Sequence, residues 1–351
     1  MREKMSIIDR RNFLKTSAAA AAGAAALSTG ATALAAPRNK QISLAGEIPE
    51  TMFGKTGHQL PILGHGGSAM IERWHKLYGV EMLPREKYVE MVRLGYEKGI
   101  RYFDTARGYG LSEGIMGEAL EDVRDNVYIA TKVAPKGDAD AIRRDVETSL
   151  RELRTDYIDC LQLHVFPGRV GFSGAMKDHG TLLKLRDEGV VRFIGLTNHS
   201  QFEEVYQGIS TGGFDQCLIE HCYVRKGLST RHSDRMVEFK EMALSKAQEL
   251  GMGVVAMKVM GATVFGHNAQ NLVPDFDSEA RRHLPAAAIR WVLTDKRVHI
   301  LNIGVSMPGD FDKNIKTLTG NIKFTNEDRM LLANFAAKAY EADDIANMPV
   351  A

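Results

Sequence analysis

The sequence predicts an α/β fold, a single (β/α)8 TIM barrel with an N-terminal β-hairpin and an extra C-terminal helix, and two observations carry that expectation. Short β-rich runs alternate with helix-like stretches at an even pace, eight times over, and eight parallel strands close naturally into a barrel. Polar residues also stand at or just past the C-terminal ends of successive runs. Asp104 follows Arg101-Tyr102-Phe103, Lys132 follows Val127-Tyr128-Ile129-Ala130, and His164 follows the run from Tyr157 to Leu163. Parallel barrel strands present those ends on one face, so these side chains are expected to converge there.

Taken in order, the first 35 residues read as a signal peptide and 36–351 as one barrel domain. Asp9-Arg10-Arg11-Asn12-Phe13-Leu14-Lys15 has the twin-arginine form, a small-residue run from Ala18 to Leu27 follows, and Ala33-Leu34-Ala35 suits cleavage. Spanning a bilayer takes ~20 strongly apolar residues, so this short alanine-rich run is not expected to be a stable membrane anchor. The twin-arginine (Tat) export machinery moves folded proteins, and the expected destination is the periplasm. The signal carries Arg2, Lys4, Arg10, Arg11 and Lys15 against Glu3 and Asp9, so its removal takes the formal charge from +1 to −2. A near-neutral chain without a basic stripe offers no footprint for nucleic acid.

Met52 to Leu60 reads as a hairpin with a glycine-bearing turn. The eight strand-like runs are Leu60–Leu63, Arg101–Thr105, Val127–Val133, Tyr157–His164, Phe193–Thr197, Cys217–Val224, Gly253–Val259 and Ile300–Val305. Being mostly apolar, they suit a parallel sheet buried on both faces. Helical patterns run over Glu86–Lys98, Ala139–Leu153, Leu182–Glu188, Arg235–Leu250 and Arg282–Leu293, with Gly99, Gly189, Gly251 and Gly320 where helices end. A last helix, Asn326–Glu341, lies outside the eight units. Cys160, Cys217 and Cys222 fall in apolar runs without CxxC spacing, so buried thiols are expected over a Cys217–Cys222 bridge, with no iron–sulfur or structural zinc site.

An acid, a phenol, an amine and an imidazole in one cleft make a proton-transfer site. Reducing a carbonyl needs a hydride on carbon and a proton on oxygen. Tyr109 can donate the proton, but a free phenol has a pKa of about 10. A lysine ammonium within ~4–6 Å lowers that value, which Lys132 can do while Asp104 keeps it charged and oriented. His164 can hydrogen-bond the substrate oxygen. Singly, each has a bland reading: a helix cap, a solvent-reaching lysine, a satisfied histidine. Their arrival together on successive strands outweighs those readings. The hydride must come from an organic cofactor, since no side chain supplies one.

From Phe53 to about Leu318 the chain resembles the aldo-keto reductase family. The resemblance is carried by Gly99-Ile100-Arg101-Tyr102-Phe103-Asp104-Thr105-Ala106-Arg107-Gly108-Tyr109-Gly110 with Glu113, Gly117, Ala119 and Leu120. Ala130-Thr131-Lys132-Val133, Asp156 through His164, and Arg192-Phe193-Ile194-Gly195-Leu196-Thr197-Asn198 follow in the family's order. The resemblance implies a nicotinamide cofactor, NADP(H) or NAD(H), and a small carbonyl or alcohol substrate. It also implies that Asn198, helped by Thr197, holds the carboxamide, with Glu220 a weaker candidate. Val254-Val255-Ala256-Met257-Lys258 lacks the tyrosine that stacks on nicotinamide in some relatives, so Met257 or Lys258 would lie against the ring.

The last run leads into Gly304-Val305-Ser306-Met307-Pro308-Gly309-Asp310 and a helix with Lys313, Asn314 and Lys316, a ready phosphate site at a helix N-terminus. Gly304 and Asp310 stand where NADPH-preferring relatives often carry bases. Asp310 would repel a 2′-phosphate and suits a ribose hydroxyl, which leans the expectation toward NAD, with Lys313 able to compensate. The substrate pocket should draw on Ser68–Arg85, with Trp74, His75 and Tyr78, and on Val165–Lys177. Aromatic and mixed polar lining suits sugars, aldehydes or cyclic ketones; the oligomeric state is not legible. Two other classes remain: a metal-dependent barrel hydrolase or isomerase using Asp104, His164, His199, Glu220 and His221, and a cofactor-binding accessory protein without turnover.

Overall fold

Strands covered on both faces need continuous apolar runs, and the runs above become the staves of a closed barrel. The computed structural model describes residues 42–43, 46–72, 82–224 and 232–341, all within one unit, Asn39–Ala351. An antiparallel pair, β1 (Glu50–Met52) and β2 (Gln59–Pro61), comes first. The staves are β3 (Leu63–Gly66), β4 (Tyr102–Asp104), β5 (Tyr128–Val133), β6 (Ile158–Leu163), β7 (Val191–Asn198), β8 (Gln216–Glu220), β9 (Gly253–Met257) and β10 (Ile300–Ile303). They stand in chain order, each parallel to its neighbour, and β10 closes on β3. The helices between them are α1 (Arg85–Glu97), α2 (Ser112–Leu120), α3 (Ala139–Glu152), α4 (Gly171–Asp187), α5 (Phe202–Ser210), α6 (Asp234–Glu249), the short α7 (Ala269–Leu272) and α8 (Ser278–Val292). After β10 come α9 (Pro308–Thr319) and α10 (Asn326–Glu341).

The expected first run, Leu60–Leu63, divides between hairpin and barrel. Ile62 is the changeover: its N–H donates to Pro49 at 2.8 Å and its carbonyl accepts from Leu301 at 2.8 Å. Val165–Lys177, expected to line the substrate pocket, becomes helical from Gly171 onward. Gly171, Gly174 and Gly180 blur that helix in the sequence because glycine is a poor helix former. Asp178 on α4 accepts the backbone N–H groups of Lys136 and Gly137 at 2.6 and 2.8 Å, tying down the loop after β5.

Inside the barrel, Tyr102 and Tyr128 stack with ring centroids 5.5 Å apart, and Gln216 bonds both hydroxyls. Phe53 of the hairpin meets both rings edge-on. Gly54 has φ +52°, and a Cβ there would fall 2.4 Å from the Gly253 nitrogen, so the hairpin backbone lies directly on β9. The hairpin therefore plugs the N-terminal end, which also holds buried Asp159 between Arg124 and Arg192 at 2.7 and 2.9 Å. Access is left at the opposite end.

Candidate active site

Alternation along the strands sends Tyr102 and Asp104 of β4, and Tyr128, Ala130 and Lys132 of β5, inward. Lys132 and Asp104 are therefore buried at the top of the barrel, with Lys132 Nζ 2.5 Å from Asp104 Oδ1 and 2.7 Å from the Thr105 carbonyl. Asp104 accepts two more bonds, from Gln162 Nε2 at 3.1 Å and Asn302 Nδ2 at 3.2 Å. Burial alone would lower the Lys132 ammonium, but the Asp104 carboxylate and Tyr109 outweigh it and hold its pKa above the ordinary lysine value. Lys132 Nζ lies 4.9 Å from the centre of the Tyr109 ring, and Tyr109 meets His164 edge-on at 5.5 Å. The four side chains of the proposed tetrad are thus brought together.

The loop carrying Tyr109 is pinned to β5. Arg107 N–H donates to the Lys132 carbonyl at 3.0 Å, Arg107 pairs with buried Glu113, and Glu113 accepts from Thr131 Oγ1 at 2.6 Å. Sequence reading missed Gln162 and Asn302, whose only signal is a lone amide in the inward row of an apolar strand.

The strands opposite carry a second polar set. Thr197 is buried and its Oγ1 has no hydrogen-bond partner. Asn198 bonds its own chain instead: Nδ2 donates to the Phe166 carbonyl and to Gln201 Oε1 at 3.2 Å, and Oδ1 accepts Ser200 and Gln201 N–H at 2.7 and 2.8 Å. His199 follows, half-buried, with Nδ1 unpartnered. Burial, then the charges of Lys258, His164 and Lys132, hold this imidazole well below its ordinary pKa, so it is neutral. Glu220 ends β8 and takes Lys258 Nζ on Oε2 at 2.7 Å, while Oε1 makes no hydrogen bond and lies 3.4 Å from His232 Nε2. Met257 packs in the barrel interior, and Lys258 has φ +58°. His221 turns away, stacking on Trp291 at 5.2 Å and lying 3.4 Å from Asp295. The residues of the metal reading do not converge, and among the described residues no group of three or more His, Cys, Asp or Glu is placed to hold a metal ion. Cys160, Cys217 and Cys222 are buried free thiols.

At the α9 N-terminus, Pro308 occupies the first turn and Asp310 closes a capping box, accepting Met307 N–H at 3.3 Å. Asp310 also lies 3.3 Å from His267 Nε2 and from Lys313 Nζ. The capping pattern, proline at the first position and an acid at the third, is legible in the sequence. Ser306 is half-buried in the bend before α9, Lys313 is exposed and Asn314 is buried. Trp74, His75 and Tyr78 lie outside the described residues. Thr197 Oγ1, Gln162 Oε1 and Asn302 Oδ1 are buried acceptors without partners on inward-facing rows. A nicotinamide cofactor brings amide and hydroxyl donors, so the donor set fits one.

Residues 63–333 match the model of the Aldo/keto reductase family, and residues 8–27 match the twin-arginine translocation pathway signal sequence, which marks the chain for export. A protein named probable aldo-keto reductase 1 from Glycine max is 28% identical over 63% of this chain, and the match spans 62% of that protein's length. The methylglyoxal reductase YeaE of Escherichia coli is 27% identical, covering 66% of this chain and 77% of that one. The L-galactose dehydrogenase of Arabidopsis thaliana is 25% identical over 76% and 87% of the two chains. Among solved structures, the holo form of an aldo-keto reductase from Bacillus halodurans shares the fold at 20% identity and a TM-score of 0.63, covering 82% of this chain and 96% of that one. An aldo/keto reductase from Klebsiella pneumoniae, solved with NADP and acetate, has a TM-score of 0.60 at 20% identity over 82% and 95%. With the barrel closed in family order and the matched segment running from its first strand to beyond its last, the chain belongs to the aldo/keto reductase family.

Proposed function

We propose that the protein is an NAD(P)H-dependent oxidoreductase that reduces an aldehyde or ketone to an alcohol, or runs the reverse reaction, with Tyr109 as proton donor. The observation that carries this reading is the buried Lys132–Asp104 pair beside Tyr109, with His164 edge-on to the same ring. A nicotinamide cofactor, when bound, supplies or accepts the hydride. Asp104, held by three donors, keeps Lys132 in place and charged. The Lys132 ammonium stabilises a phenolate at Tyr109, so the phenol gives up its proton near neutral pH. His164 positions the substrate oxygen against the Tyr109 hydroxyl. In the reverse direction Tyr109 takes the proton back.

The cofactor site is proposed to draw on Thr197, Asn198, Met257, Lys258, Ser306, Asp310, Lys313 and Asn314. Because the Asn198 amide already bonds its own chain, Thr197 Oγ1 is the better acceptor for the carboxamide amine. The family favours NADP. Asp310 opposes a 2′-phosphate, but its two basic neighbours, His267 and Lys313, offset that charge, so comparable affinities for NADPH and NADH are expected. Export in the folded state to the periplasm allows the protein to cross with its cofactor already bound. Protein fluorescence titrated with NADPH and with NADH tests the reading. Saturable binding supports it, the affinity ratio measures the effect of Asp310, and no binding with no dinucleotide in the preparation overturns it.

A further inference from the structure

We infer that Glu220 sets the redox preference of the bound cofactor, its carboxylate favouring the oxidised nicotinamide over the reduced one. The oxidised ring carries a positive charge and the reduced ring is neutral, so an anion beside it makes the bound reduced cofactor a stronger hydride donor. This deepens the reductase reading and rests on it. The first observation is placement. Asp104, Lys132 and His164 stand at the ends of β4, β5 and β6, with Tyr109 against Lys132 and His164. A carbonyl oxygen held by Tyr109 and His164 occupies that side of the barrel mouth. The ring that exchanges hydride with its carbon is left the side walled by β7 to β10. Thr197, Glu220, Met257 and Asn302 close the inward rows of those four strands, and Glu220 is the charged one among them.

The second observation is how the pair is arranged. Glu220 lies opposite Met257 across the β8–β9 pairing and is fully buried. Its cation, Lys258, stands one residue past the end of β9 with φ +58° and reaches Oε2 at 2.7 Å. The carboxylate is therefore the member carried on the inward row, and the ammonium approaches it from the alternate row. The Lys258 ammonium favours the ionised carboxylate against the cost of burial. A charge acts through space whether or not its atoms are exposed, and it acts more strongly where the dielectric is low. Glu220 thus needs no contact with the ring to discriminate between its two charge states. A residue retained to bind the cofactor as such would hold both forms equally.

The test measures dissociation constants for NADP⁺ and for NADPH by protein fluorescence, in the wild-type protein and in Glu220→Gln. That variant keeps the side-chain shape, removes the anion and leaves Lys258 unpaired. Affinity for NADP⁺ relative to NADPH is expected to fall roughly ten- to fiftyfold, the effect of one unit charge over several ångströms at an effective dielectric of ~20. Each tenfold change is about 30 mV in the potential of the bound two-electron couple. A purely structural role would weaken both forms together and leave the ratio in place. Where the unpaired lysine keeps Glu220→Gln from folding, the double variant Glu220→Gln/Lys258→Met carries no charge at either position. It is expected to shift the ratio in the same direction, roughly threefold. A ratio unmoved in the variant that folds, with both forms still bound, overturns this inference alone. Binding of neither form by the wild-type protein overturns the cofactor reading and this inference with it.

Discussion

Two buried lysine–carboxylate pairs face each other across the open end of the barrel, Lys132–Asp104 at 2.5 Å and Lys258–Glu220 at 2.7 Å. They look alike by distance and burial, yet their surroundings differ. Asp104 accepts three side-chain donors, whereas Glu220 accepts one and leaves Oε1 unpartnered. A buried pair is favourable only when the remaining lone pairs are satisfied. The first pair is thus fully braced beside Tyr109, and the second is a charged wall with hydrogen-bonding capacity left over. Burial pushes the Asp104 and Glu220 carboxyls alike above their ordinary values despite the paired lysines.

The largest expected effect belongs to the braced side. Tyr109→Phe should slow the chemical step by roughly 10²–10⁴-fold in single-turnover assays, with NADPH affinity nearly unchanged. Full activity in that variant would remove Tyr109 from the mechanism. Next comes the contrast between pairs. Lys132→Met and Lys258→Met should each cost about 3–5 kcal/mol at neutral pH in urea unfolding, as expected for a broken buried pair. Their pH dependence should diverge. Without Lys258, Glu220 titrates at a still higher folded pKa, so the loss is small below the unfolded value of about 4.5 and grows as pH rises through the folded one. Asp104 retains its two amide donors, so the Lys132→Met loss should be flatter over that range. Parallel pH profiles for the two variants would erase the distinction.

Smaller still is the bracing itself. Asn302→Ala, which removes one of the three donors to Asp104, should lower kcat by roughly three- to tenfold through Lys132. The least effect is expected at the His267–Asp310 pair, whose histidine is exposed and solvent-screened, unlike the members of the two buried pairs. Asp310 raises the His267 pKa above its ordinary value. Its stabilising contribution is therefore full below about pH 6.5 and fades as pH rises through the folded value. A proton NMR titration should show His267 titrating lower in Asp310→Asn; an unshifted curve would dissolve the pair.

Much of the fold was legible because a buried parallel strand leaves a plain mark, a short apolar run bounded by turn glycines. The gathering of Asp104, Tyr109, Lys132 and His164 was legible for a related reason: one polar residue at the end of each of several successive runs is improbable unless the ends meet. Gln162 and Asn302 left no such mark, since a single amide in an apolar strand has no partner identifiable by spacing. Asp310 was visible by its position, but its pairing with His267, which comes from a distant loop, was not. Helix α4 was half-hidden by its glycines, and it is held through Asp178, a long-range contact that local pattern does not encode.

Barrel closure has a consequence in time. Leu63 and Leu301 are paired across the seam yet stand 238 positions apart in the chain. Ribosomes add ~5–20 residues per second, so roughly ten to fifty seconds of synthesis separate the first stave from the last. The export signal, at residues 8–27, emerges before either. For most of its synthesis the chain thus bears an address while its seam is still open, and a pathway that accepts only folded cargo must wait for β10. Late pairings of this kind fold slowly, so the rate of seam closure, rather than display of the signal, sets the earliest moment of departure.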